Sequence, residues 1–183
     1  MYAGQAVAEI LYGKVNPSAK LAITIPRSVG QLQMIYNHKP SQYFHPYAVK
    51  PSTPLWPFGY GLSYTTYKYD DLKLSAKEVS QNQNVEVSVK VTNTGQRDGV
   101  EIVQLYIRDK YSSVTRPVKE LKDFARVALK AGESKVVTFT ITPDKLAFYD
   151  KKMKWIVEPG EFVVMAGASS ADESLLKETC ILK

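Results

Sequence analysis

A single cysteine, Cys180, excludes an internal disulfide, and its place beside Ile181 marks it as a small buried hydrophobe. No apolar run approaches the roughly 20 residues of a membrane-spanning helix, so no membrane partner is expected. There are only two histidines, His38 and His45, and no cysteine or carboxylate stands near them at ligand spacing. No metal site and no cofactor are expected from them. Acidic residues are also sparse, 18 against 24 Lys plus Arg, for a net charge of +6. The basic residues are scattered along strands and turns, and the one tight cluster, KKMK at Lys151 to Lys154, lacks interleaved stacking aromatics. It reads as a solvated turn, and no nucleic-acid partner is expected. The opening Met1-Tyr2-Ala3-Gly4 has neither a basic leader nor a long apolar segment, so the sequence as it stands carries no signal peptide.

What is present suits a folded chain with room for one ordinary domain and a smaller piece: 183 residues, 44% hydrophobic and 23% charged. Val7, Ile10 and Leu11 share a helical face among Ala3, Ala6 and Ala8, and Gly13 is placed as the stop. Asn16 to Ser18 signals a turn, and Leu21 to Ile25 is a continuous apolar strand ended by Pro26. Such a strand is normally buried on both faces, so helix and strand read as the last αβ unit of a larger sheet. From Gly30 to Thr53 the chain is a polar, proline-rich loop. Its Tyr36, Tyr43, Phe44 and His45, with the nearby Trp56, either line a sugar site or fasten the loop down; Tyr43, His45 and Trp56 are the candidate substrate-binding residues.

The run PLWPFGYGLSYT, Pro54 to Thr65, is too apolar for an ordinary surface loop, while its prolines and glycines forbid a helix or central strand. Burying each of Trp56, Phe58, Tyr60 and Tyr64 is worth roughly 1.5 to 3 kcal/mol, so these four are the candidate domain-junction residues. Beyond Thr65 the texture turns to short alternating segments. Val85, Val87, Val89 and Val91 alternate with polar residues, and Val103, Leu105 and Ile107 share a face opposite Gln104 and Tyr106. Asp70-Asp71 reads as a strand start, Ser134 to Ile141 and Glu161 to Gly167 as further strands, and Pro143 to Leu146 as one helical turn after Thr142. Trp155 to Val157 makes a short strand and Leu175 to Leu182 a final edge strand. The fold class is therefore mostly β: an antiparallel sandwich of the immunoglobulin or fibronectin type III kind, preceded by a short α/β remnant and a long loop.

Seven blocks carry a resemblance that the periodicity alone does not. They are Gly4 to Gln31, PLWPFGYGLSYT, VTNTG at Val91, VQLYIRD at Val103, RPVKELKDF at Arg116, LKAGESK at Leu129 and EPGEFVVMAGASS at Glu158. In this order they resemble the C-terminal part of glycoside hydrolase family 3 β-glucosidases, above all the bacterial periplasmic β-glucosidase and β-xylosidase branch. The resemblance implies that residues 1–64 end an α/β sandwich domain and that 65–183 form a fibronectin type III-like domain. It also implies a parent that hydrolyses terminal β-D-glucosyl or xylosyl residues in the periplasm or outside the cell, with the other domains of that parent as partners. Ala22 and Ala19 depart from the Pro and Gly usual at those positions.

Retaining β-glycosidases need two carboxyl groups about 5 to 5.5 Å apart. The family takes its nucleophile and its acid/base from regions upstream of these blocks, so no catalytic residue is carried over and the chain by itself is expected to be inactive. Glu158 and Glu161 flank a turn and do not read as a catalytic pair. Three roles stay open: a supporting module of a β-glucosidase; a carbohydrate-binding module using Tyr36, Tyr43, Trp56 or Trp155 on a β-glucoside or oligosaccharide; and a protein-interaction domain. An exposed apolar remnant also predicts self-association.

Overall fold

The four valines of the strand β3 (Val85–Asn93) alternate with polar residues, and each is 1% exposed or less, so this strand has one dry face and one wet one. In the computed structural model, which describes residues 2–31, 34–40 and 51–183, β3 is the middle of a three-stranded sheet. It pairs antiparallel with β1 (Tyr67–Leu74) and β6 (Ser134–Ile141). The second sheet has the order β2-β10-β9-β4-β5, built from β2 (Glu78–Val79), β4 (Gly99–Asp109), β5 (Glu120–Leu129), β9 (Gly160–Gly167) and β10 (Leu175–Leu182). A separate ribbon pairs β7 (Phe148–Tyr149) with β8 (Trp155–Ile156). The helix α1 (Ala3–Leu11), the single turn α2 (Pro143–Leu146) and a 3-10 turn at Asp172–Ser174 complete the described elements.

The two larger sheets face each other across one core. Val87, Val89, Phe139 and Ile141 from the first meet Val103, Leu105, Phe162 and Val164 from the second. The fold is the expected mostly-β sandwich. Cys180 is buried in this core, and burial pushes its thiol up.

Several sequence expectations shift in register. Asp70 and Asp71 do not start β1 but interrupt it. The pairing slips between Asp70 and Lys73, and Asp71 has φ of 54°, so the inward positions change from Tyr67 and Tyr69 to Leu72 and Leu74. A similar slip lets β5 oppose β4 through Leu121 and then Asp123, skipping Lys122. That break in period hid β5 from the alternation pattern. The last strand, β10, is not an edge: two residues of β2 add to it in parallel. In place of the strand expected at Leu21 to Ile25, the described structure shows one bridge, Ile25 to Trp56. Its neighbours carry no ladder because the partner across from it contains Pro54 and Pro57. Helix α1 ends at Leu11, and Gly13 just beyond it supplies the stop at a φ of +74°, which few residues with a side chain adopt cheaply.

Candidate domain junction

Both faces of β4 are buried, and this decides what the proline- and ring-rich run does. Glu101, Val103, Leu105, Ile107 and Asp109 line the side toward the core, while Gln104 and Tyr106 on the other side are also covered, at 3% and 0% exposure. The cover is the N-terminal segment. Tyr36 stacks on Phe58 with ring centroids 4.2 Å apart and meets Tyr106 edge-on at 5.9 Å. The Tyr36 hydroxyl accepts the Leu121 N–H, so the loop is tied to β5 as well. Phe58 O accepts the Ser170 N–H at 2.9 Å, and Gln104 Nε2 donates to Gly59 O at 3.1 Å and to Ala168 O at 2.8 Å. Gly59 holds φ of +79°, and a Cβ there would lie 2.0 Å from Gln104 Oε1, so the backbone passes where only glycine fits.

The run is anchored on its other side by the segment before it. Leu21 N donates to Tyr60 O and Gly59 N to Leu21 O, both at 2.8 Å, while Ile25 N donates to Trp56 O and Leu55 N to Ile25 O. Two short clamps therefore grip Leu55 to Tyr60. Trp56 stacks on Tyr60 at 6.4 Å and stays 45% exposed. Tyr64 donates its hydroxyl to Ile10 O at 2.7 Å, ties its N–H to Asn16 Oδ1 and lies beneath the Arg97 guanidinium. The expected junction residues thus split. Phe58 packs on the Tyr106 cluster of the sandwich beside Tyr36, Tyr64 reaches the end of α1, and Trp56 and Tyr60 lie against each other. Of the candidate substrate-binding residues, Tyr43 and His45 lie outside the described residues, and Phe44 does too.

The alternation did not single out the buried polar groups around the segment. Lys20 Nζ meets Glu101 Oε1 at 3.0 Å with both side chains largely buried, and Tyr69 donates to the same oxygen at 2.7 Å. Burial and then the Glu101 charge push the Tyr69 hydroxyl far up, so it stays protonated. Beside this trio a cavity of about 160 Å³ is lined by Pro17, Ser18, Lys20, Tyr67 and Glu101 among others. Buried Lys119 donates to Ser170 O at 2.8 Å and reaches Asp172 Oδ1 at 3.1 Å, holding the loop that binds Phe58. Burial raises Asp172, but Lys177 and Lys119 outweigh it and hold its carboxyl below the usual range. The signal for Glu101 was there: carrying the Val103–Ile107 alternation two residues each way puts Glu101 and Asp109 on the core face.

The acidic pair suspected of nothing catalytic is engaged elsewhere. Glu158 accepts the Ser113 N–H at 2.9 Å, and Glu161 binds Lys110. Among the described residues no group of three His, Cys, Asp or Glu could hold a metal ion.

Residues 1–64 match the glycosyl hydrolase family 3 C-terminal domain, and residues 101–170 match the fibronectin type III-like domain. The chain belongs to the C-terminal region of glycoside hydrolase family 3. It is 44% identical over 178 residues to the periplasmic beta-glucosidase of Salmonella typhimurium, across 92% of this chain and 23% of that protein. A beta-xylosidase of Formosa agariphila is 46% identical over 178 residues, across 96% of this chain and 25% of its own. Among solved structures, a β-glucosidase from Erythrobacter marinus superposes with a TM-score of 0.94 at 45% identity, over 98% of this chain and 24% of that one. The β-glucosidase of Listeria innocua in complex with glucose gives 0.90 at 36%, over 98% and 26%. This family 3 chain spans about a quarter of the length of the relatives it matches.

Proposed function

We propose that the chain is a supporting module of a family 3 β-glycosidase: residues 65–183 form the sandwich, and residues 1–64 belong to an α/β domain that the ring-rich run locks onto it. The single observation that carries this reading is the two-sided character of the N-terminal segment. Its inner side covers Gln104 and Tyr106 of β4, whereas Val7, Leu11, Tyr12, Ile23 and Trp56 stay exposed, each at 45% or more. Exposed apolar side chains of this kind suit further protein, and the rest of the parent is the partner of matching chemistry. The relatives' names support hydrolysis of terminal β-glucosyl or β-xylosyl residues by the whole protein, and the periplasmic relative supports an exported one. Glu158 and Glu161 bind the Ser113 N–H and Lys110, which supports a structural role for that pair.

The test is an assay of the purified chain on aryl β-glucoside and aryl β-xyloside. Rates equal to a buffer blank are expected; turnover that co-elutes with the chain and persists through a second purification would overturn the reading.

A further inference from the structure

The ribbon β7–β8 carries a surface unlike that of the junction. Its alternation sends Phe148 inward, buried beneath the Arg116 guanidinium at 4.5 Å, and turns Tyr149 and Trp155 outward. These two are register partners with ring centroids 4.9 Å apart and planes tilted by 58°, and they are 56% and 52% exposed. Between them runs the turn that the sequence marks as basic. Asp150 Oδ1 shapes it, accepting the N–H groups of Lys152 at 2.7 Å and Lys154 at 2.9 Å. Met153 is held at φ of 58° with its side chain exposed, a left-handed conformation uncommon for any residue but glycine. Lys151, Lys152 and Lys154 are exposed, and none is ion-paired with another described residue. The folded ribbon thus sets the two rings that flank this turn in sequence against each other beside three exposed lysines, which outnumber the single Asp150 carboxylate.

We propose that this ribbon binds an acidic oligosaccharide, one bearing uronic acid units, with a pyranose against the Tyr149 and Trp155 rings and its carboxylates at the three lysines. Each half of the surface points to the same class of partner. Ring faces take the C–H face of a sugar, and lysine ammonium groups take a carboxylate without requiring a fixed fork geometry. The arrangement is less suited to a bilayer, because the charged turn stands at the tip and the rings behind it. Tilted rings also give no parallel platform for successive nucleobases.

Titration of the whole chain with a uronate tetrasaccharide, followed by calorimetry, tests this directly. Binding is expected, weakened about tenfold or more by Trp155→Ala. Comparable weakening is expected from Lys151→Glu with Lys152→Glu and Lys154→Glu, and from raising salt from about 50 to about 500 mM. Unchanged melting temperatures show that the variants fold. No binding, equal binding of neutral cellotetraose or xylotetraose, full binding by the Trp155→Ala variant, or tighter binding of an oligonucleotide or of anionic phospholipid vesicles would each overturn it.

Discussion

Asp109 sits at one end of the inward row of β4 with both carboxylate oxygens buried and without a hydrogen-bond partner among the described residues. Burial pushes its carboxyl above the ordinary 3.8, and the nearby Arg116 only partly offsets this. A raised folded-state value means that folding disfavours the charged form. The destabilisation is therefore present at neutral pH and vanishes as pH falls below the unfolded value. Asp109→Asn is expected to raise the melting midpoint at pH 7, by about 2–4 °C for each kcal/mol recovered. Thermal scans should show that gain disappearing near pH 3. At the other end of the row Glu101 is satisfied, and the expectation reverses. Glu101→Ala strands the buried Lys20 ammonium and should cost roughly 3–5 kcal/mol in urea unfolding, most of it regained by Lys20→Met together with Glu101→Leu. Gly59→Ala forces a Cβ into Gln104 at a positive φ, so a loss of roughly 1–3 kcal/mol is expected from the same measurement.

At the scale of elements, the strands with unbroken alternation, β3, β4, β6 and β9, were legible in the sequence because their core-facing side chains recur with a period of two. Elements whose period slips were not. Lys122 in β5 and Asp71 in β1 each insert a residue, so the inward face changes parity partway along and the pattern cancels. The strand expected at Leu21 to Ile25 failed for a different reason. Apolar content foretells burial, not a partner with free N–H groups, and the run opposite it carries Pro54 and Pro57. The junction rings were legible as residues that need cover. Which of them would find it within this chain was not, since Tyr36 meets Phe58 across a long stretch of sequence. Leu105→Ala, at the centre of the shared core, should cost about 2–5 kcal/mol and shift the whole unfolding transition rather than one sheet's share of it.

For the molecule as a whole, the account rests on the outer surface of the N-terminal segment. Leu11, Ile23 and Trp56 are exposed, and self-association at high concentration is the expected outcome. Sedimentation should reveal concentration-dependent association that Leu11→Lys with Ile23→Lys relieves. If the surface is meant for the rest of a family 3 glycosidase, supplying that partner should cover it. The chain has only two tryptophans, so a Trp155→Phe variant leaves Trp56 as the sole indole reporter. The most direct measurement is acrylamide quenching of Trp56 in this variant alone, compared with the same variant fused behind the preceding domains of the Salmonella relative, which have their own tryptophans replaced. Ready quenching in the isolated chain and protection in the fusion are the results the account predicts, whereas equal quenching in both would contradict it.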